Sequence, residues 1–317
     1  MDAGAYVLQV LQVLIALIGA PLLTGWVNQC RAWLQNRSAP PLLQPYRQIA
    51  KLLEKDVVLA HNASRLFRLV PYVLFACTVL ACAIIPTLST DLPLAPAADA
   101  IALVGIFALA RVSLSLAGMD VGTAFGTLGA RREMLIGFLA EPALLMVFFT
   151  ASLISQSLSL ATIVETIAHR EFVIYPSLAF AGVAFTLVSL AENARIPVDN
   201  PATHLELTMI HEAMILEYSG RHLALVEWAA GLKLYAYSCL GLALFFPWGI
   251  PQGTGFGNIG VALPVLLVKL GIGGMVLALI ETLSAKMRIF RAPEFLGAAF
   301  MLAVIAMLVR LLLEAPL

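Results

Sequence analysis

The sequence predicts an all-α integral membrane protein of about eight transmembrane helices, with an amphipathic interfacial helix in the first cytoplasmic loop. Three observations predict it. The 317 residues are 61% hydrophobic and only 12% charged, with a mean hydropathy of +0.94. A soluble domain is roughly 45–50% apolar and about 25% charged. Apolar runs of about 20 residues, long enough to cross a bilayer, recur along the whole chain. Lys and Arg also gather in alternate loops. So much apolar surface cannot be hidden in a core of this size, so lipid must be the solvent.

Taken in order, the spans are expected at about 4–26, 67–88, 98–118, 134–155, 173–192, 224–247, 260–282 and 294–313, in one polytopic domain over residues 1–317. Before the first span there is no basic n-region: Asp2 is its only early charge and Arg31 the first arginine. This favours a retained anchor over a cleaved signal peptide. The third span is the weakest, because Arg111 interrupts it. The fifth is expected to end at Pro197 and Pro201, since proline cannot continue the helical ladder. Helix should resume after Pro201, where Leu205, Met209 and Leu216 recur at helical spacing. No internal repeat of the transporter kind is visible.

Orientation follows from the cations. The odd loops hold Arg31, Arg37, Arg47, Lys51, Lys55, Arg65 and Arg68, then Arg131 and Arg132, Arg195 and Arg221, and Lys286, Arg288 and Arg291. The even loops hold only Arg170. Odd loops are therefore expected in the cytoplasm and both termini outside. Within the first loop, "LLQPYRQIAKLLEKD" (42–56) puts Leu43, Tyr46, Ile49, Leu52 and Leu53 on one face and Arg47, Lys51 and Lys55 on the other. That pattern suits a helix lying on the membrane, either a lipid anchor or the wall of a cavity shared with a partner. There is no basic face outside this region, which excludes nucleic acid as a partner. Cys30, Cys77, Cys82 and Cys239 are scattered and lack the close spacing of zinc or iron–sulfur ligands. They read as packing residues.

Charges inside the spans carry the functional argument, because each costs about 2.5–3.5 kcal/mol at the bilayer centre on insertion scales. Arg111, Glu141, Glu192, Glu227, Lys233, Lys269 and Glu281 all fall in or at the end of spans. Glu141 and Lys269 are expected too deep to reach the interface. Either they fix helix packing or they belong to a relay of titratable groups, whose pKa values burial and neighbouring charge can move. The stretch "LAENARIPVDNPATHLELTMIHEAMILEYSG" (190–220) adds Asp199, Glu206, Glu212 and Glu217, with His204 and His211 between them. Its "HEAMI" lacks the second histidine of a His-Glu-x-x-His zinc site. A carboxylate-lined funnel leading from the cytoplasm to mid-membrane accounts for it better, and no metal is assigned.

Several of these stretches together resemble the membrane-anchor subunit shared by respiratory complex I (its H subunit) and the membrane-bound group 4 nickel–iron hydrogenases. They are "LLQPYRQIAKLL", "LFRLVPY", "GARREMLIGFLAEPALLM", "AENARIPVDNP" and "LEYSG". The likeness runs from about Arg31 to the C-terminus, and "GMDVGTAFGTLGARRE" is similar to the hydrogenase-4 and formate hydrogenlyase branch. The resemblance places Glu141 on the family's buried glutamate, and Glu192, Asp199 and Glu217 on family acidic positions. It implies a coupling subunit in the inner membrane of a prokaryote, with no redox cofactor of its own. Its expected partners are hydrogenase-like large and small subunits, an iron–sulfur subunit and antiporter-like membrane subunits. Any NiFe and iron–sulfur centres would sit on those partners, and the arm interface leaves room for a quinone.

The expected relay set is Glu141, Glu192, Asp199, Glu206, Glu212, Glu217, Arg111, Glu227, Lys233, Lys269 and Glu281. The expected docking set is Arg37, Tyr46, Arg47, Lys51, Arg131, Arg132, Arg195 and Arg221. The chain departs from the family where Val198 replaces a usual Phe, and where "NPATHLELTMIHEAMI" replaces a more acidic run. An autonomous ion transporter and a purely structural anchor are the other readings.

Overall fold

A backbone in hydrocarbon must bond to itself, so helices are what these apolar runs can form. The computed structural model describes residues 3–169, 175–199, 209–253 and 255–313. His204, Glu206, Arg170 and the tail after Leu313 lie outside the described residues. The membrane-length helices are α1 (Ala3–Leu34), α3 (Arg65–Ile84), α4 (Ala100–Asp120), α5 (Ala124–Ser155), α9 (Gly220–Phe245), α10 (Phe256–Leu283) and α11 (Ala292–Leu313). These seven are long and apolar enough to cross a bilayer, and α7 (Pro176–Glu192) is apolar but shorter, at 17 residues. Between them lie α2 (Gln44–Glu54), α6 (Leu160–His169) and the single-turn α8 (His211–Ile215). Each of the eight expected spans holds one of these helices among the described residues, although α3 stops at Ile84, before the expected 88. The chain is a multi-pass membrane protein.

The helices pack in a chain of neighbours. α10 lies on α1, α1 on α9, α9 on α3, α3 on α4, and α4 on α5, which meets α7 and α11. α8 is tucked against α5 and α4, while α2 lies across α9 and α1. The outer surface stays apolar, with Phe138, Val268, Ile272 and Leu312 exposed. In water such a belt would drive aggregation; in lipid it is the solvent-facing side. Helix starts are fixed by side chains that accept orphan N–H groups: Ser64 from Leu66, Asp99 from Ile101 and Thr123 from Gly126.

Three expectations about element ends are corrected. α1 runs on to Leu34, and α5 begins at Ala124, ten residues before the expected 134. The prolines do not end the fifth span. α7 stops at Glu192, where the Ala194 N–H donates to the Ala191 carbonyl and the Arg195 N–H to the Leu190 carbonyl. Ala194 takes the left-handed backbone conformation at φ +50°, which together with those bonds is a Schellman turn built on a residue other than glycine. In the stretch after Pro201, helix is found only over His211–Ile215 among the described residues.

Candidate functional site

Glu133, Gly137 and Glu141 recur every four residues, so they line one face of α5. Arg111, from the middle of α4, lies across that face with its side chain 3% exposed. A Cβ at position 137 would fall 2.1 Å from the Arg111 Nη1, so only glycine leaves room for the guanidinium. Arg111 Nη1 donates to Glu141 Oε1 at 2.7 Å, and Nη2 donates to Glu192 Oε1 at the end of α7. Its Nε is 3.8 Å from Glu133 Oε1, an electrostatic contact beyond hydrogen-bond range. Lys233 of α9 closes the group, with Nζ 3.0 Å from Glu192 Oε2. Tyr237, one turn further along α9, is buried and stacks on Phe107 of α4.

Charge counting gives this cluster its chemistry. Three carboxylates face two cations, so with every group ionised the site carries one excess negative charge in a low-dielectric interior. Taking up one proton neutralises it, and the proton then belongs to the group of carboxylates rather than to one of them. Burying the ions is costly and their mutual attraction offsets this only with close geometry. The cluster's charge balance therefore has room for one proton.

Beside the cluster lies a cavity of about 510 Å³, bounded by α1, α2, α8, α9 and the loop Asn193–Arg195. Ile49 and Leu52 of α2 and Trp228 and Leu234 of α9 form its apolar walls. Arg31, Lys51, Lys55, Arg195, Glu212 and Glu227 are its charged lining. A smaller cavity of about 70 Å³ adjoins the cluster and is lined by Arg111, Glu133, Glu192 and Lys233. Because α7 stops early, irregular backbone at Asn193 and Ala194 borders both cavities. Backbone of that kind is tolerated at membrane depth where it lines a cavity.

The "LEYSG" motif holds α2 over this cavity. Tyr218 stacks on Phe67 with ring centroids 4.0 Å apart and donates to the Phe67 carbonyl. Ser219 Oγ donates to the Val58 carbonyl and accepts from the Val58 N–H. Gly220 sits at φ +53°, where a Cβ would lie 2.8 Å from the carbonyls of Lys55 and Asp56. Tyr46 completes the attachment by donating from its hydroxyl to the Ile18 carbonyl on α1.

The other expected residues divide among several places. Glu281 is buried at the end of α10 and pairs with Arg195 at 3.1 Å and Arg31 at 3.6 Å. Asp199 is buried and accepts from the His211 N–H at 3.2 Å. Arg132 donates to the Met209 carbonyl at 2.9 Å. Arg37, Arg47, Arg131 and Arg221 are exposed, as docking residues would need to be. The two groups of α8 are perturbed in opposite directions. Burial, with Glu227 and Asp199 nearby, raises Glu212 to about 7; burial, then Lys233, lowers His211 to about 4.

Four expectations about these residues are corrected. Lys269 takes no part in the carboxylate cluster: its Nζ donates to the carbonyls of Phe246 and Trp248, just beyond the end of α9. Glu141 keeps a third of its side chain exposed instead of being enclosed. Glu217 is exposed and lines neither cavity. Lys51 and Lys55 share the cavity wall with Ile49 and Leu52 rather than facing away from them. Sequence reasoning also missed Glu133, although its four-residue spacing from Glu141 could have revealed it.

Comparison with known proteins agrees with this architecture. The family model described as NADH dehydrogenase matches residues 7–312. Formate hydrogenlyase subunit 4 of Escherichia coli is 32% identical over 93% of this chain and 95% of its own length. Hydrogenase-4 component C of the same organism is 31% identical over 96% of each. A chain in the structure of the membrane-bound sulfane sulfur reductase, an archaeal respiratory membrane complex, has the same fold, with a TM-score of 0.81 at 19% identity over 96% of this chain and 99% of that one. With this extent of match, the chain belongs to the NADH dehydrogenase family.

Proposed function

We propose that this protein is the membrane-anchoring and proton-coupling subunit of a complex I-like, group 4 hydrogenase-like respiratory complex. The observation that carries the reading is the unequal charge around Arg111, three carboxylates, two of them buried, against two cations, set beside a cavity. A cluster that only held helices together would gain from balanced charge. This one gains from a proton.

In this reading the α2 end faces the cytoplasm and both termini lie outside. Exposed Arg37, Arg47, Arg131 and Arg221 meet a soluble redox arm, and antiporter-like chains flank the subunit in the membrane. Glu212 and Glu227 lead protons along the large cavity, and Glu133, Glu141 and Glu192 hold them. NiFe and iron–sulfur centres would belong to partner subunits. The large cavity, whose volume is typical of small-molecule sites, is the place for a quinone at the arm interface.

The test is Glu133→Gln with Glu141→Gln in the assembled complex, measured in sealed vesicles. Glutamine keeps the shape and loses the titration. Insertion and assembly should stay near normal while redox-driven proton movement falls at least tenfold. Proton movement at the wild-type rate would return the cluster to a packing role.

A further inference from the structure

The two cavities share five lining residues: Asn193, Ala194, His211, Val226 and Ala230. Among the described residues, His211 is the one titratable side chain in that set. Glu212 and Glu227 line the large cavity alone, and Glu133, Glu192 and Lys233 the small one alone. We propose that the His211 imidazole is the shuttle that carries protons between the large cavity and the carboxylate cluster. This rests on the proton-coupling reading above and names the residue through which the cluster is filled.

The backbone that carries His211 is held in place. The His211 backbone N–H donates to the buried Asp199 carboxylate at 3.2 Å. Ala213, Met214 and Ile215 of the same turn are buried against α5 and α4. Arg132 donates to the Met209 carbonyl two residues before. The small cavity that His211 lines is also lined by Glu133 of α5, Glu192 of α7, Arg111 of α4 and Lys233 of α9, and the large one by Arg31, Arg195, Glu212 and Glu227.

Burial, then Lys233, keeps the imidazole neutral near pH 7. A neutral imidazole has one N–H donor and one bare acceptor nitrogen. A proton from cavity water binds the bare nitrogen, and the proton on the other nitrogen leaves for a carboxylate of the cluster. Charge on the ring is unchanged from start to finish. A ring flip, or the reverse transfer, restores the first tautomer. A carboxylate at this place would add a fourth negative charge beside Glu133 and Glu192, which a neutral ring avoids.

The experiment uses the assembled complex in sealed vesicles, with His211→Ala and His211→Asn as parallel variants. General acid–base groups contribute roughly 10²–10⁴-fold, so redox-driven proton movement should fall at least tenfold in both. Added imidazole should restore part of it in His211→Ala, whose cavity has room for the free base. The smaller void of His211→Asn should be rescued less. Wild-type proton movement in both variants, while the double glutamate variant is blocked, would overturn the shuttle and leave the coupling reading standing. Loss in both variants with no response to imidazole would also overturn it, since a positional role gives that result. If the double glutamate variant moves protons normally, the coupling reading falls and the shuttle with it.

Discussion

At the end of the bundle away from α2, the Gln12 amide donates to the carbonyls of Cys82, Ala83 and Ile85, where α3 stops. Gln9 donates to Ala83 beside it, Lys269 to the carbonyls of Phe246 and Trp248, and Asp91 accepts from the Gly253 N–H. These groups are spent on backbone that lipid could not satisfy. At the α2 end the arrangement is reversed. Arg111 binds side chains, α7 ends short of a full crossing, and a cavity of about 510 Å³ lies against the carboxylates. One half is closed by hydrogen bonds and the other keeps space and an excess negative charge. Such a subunit would take protons at one end and hand them on sideways rather than straight through.

Removing the central cation tests this contrast hardest. Breaking a buried ion pair from one side costs about 3–5 kcal/mol, and Arg111 serves three carboxylates at once. Arg111→Ala should therefore give the largest effect of any single change: poor assembly, and protons bound to the cluster that it no longer releases. Thermal unfolding of the purified complex and proton movement in vesicles should both be affected. An Arg111→Ala complex with wild-type melting would mean that the carboxylates do not depend on it.

The closed end should respond differently. Gln12→Leu fills similar space but leaves the last carbonyls of α3 without a donor, which costs about 1–3 kcal/mol for an unsatisfied buried group. The melting temperature should drop while proton movement per turnover holds. If coupling fell in step with stability, the outer seal would be part of the proton path and the contrast between the ends would collapse.

The sequence made the helices legible through apolar length alone, because lipid leaves the backbone no other choice. It was less informative about where they end. Gly126, Gly129 and Arg131 dilute the hydropathy at the start of α5, yet α4 and α8 pack there and extend the helix. Pro197 was the obvious terminator of α7, but the stop comes from Ala194 in a left-handed conformation, which has no one-letter signature. Arg111 looked like a flaw in a span and is instead its centre. Lys269 was judged by depth along its own helix, whereas its partners come from the turn after α9. Glu133 sits in "RREM", where neighbouring arginines suggested a loop. The misses at Arg111 and Lys269 concern contacts between segments far apart in sequence, which periodicity within one segment cannot register; Ala194 and Glu133 were local features that hydropathy alone did not single out.

The smallest effect expected belongs to Glu212, and it sharpens the contrast through pH. Burial, with Glu227 and Asp199 nearby, lifts its pKa to about 7 in the fold, against about 4.3 in an unfolded chain. Below about pH 4.3 both states are protonated and the residue is neutral to stability. As pH rises from there to 7 the unfolded chain loses this proton first, so unfolding is increasingly favoured; above 7 the penalty stays constant. Glu212→Gln removes that penalty. Its stabilisation should be close to nil at pH 4, grow through pH 5 and 6, and level off above 7. His211 titrates in the acid part of this range, but it does so in both proteins and cancels in the difference. Partial exposure of Glu212 and solvent screening reduce the gain to about 2–4 °C at pH 8. Paired melting curves from pH 4 to 8 would read it. A difference that stayed flat across that range would mean that Glu212 is solvated like a surface carboxylate, and the α2 end would lose its acidic lead-in to the cluster.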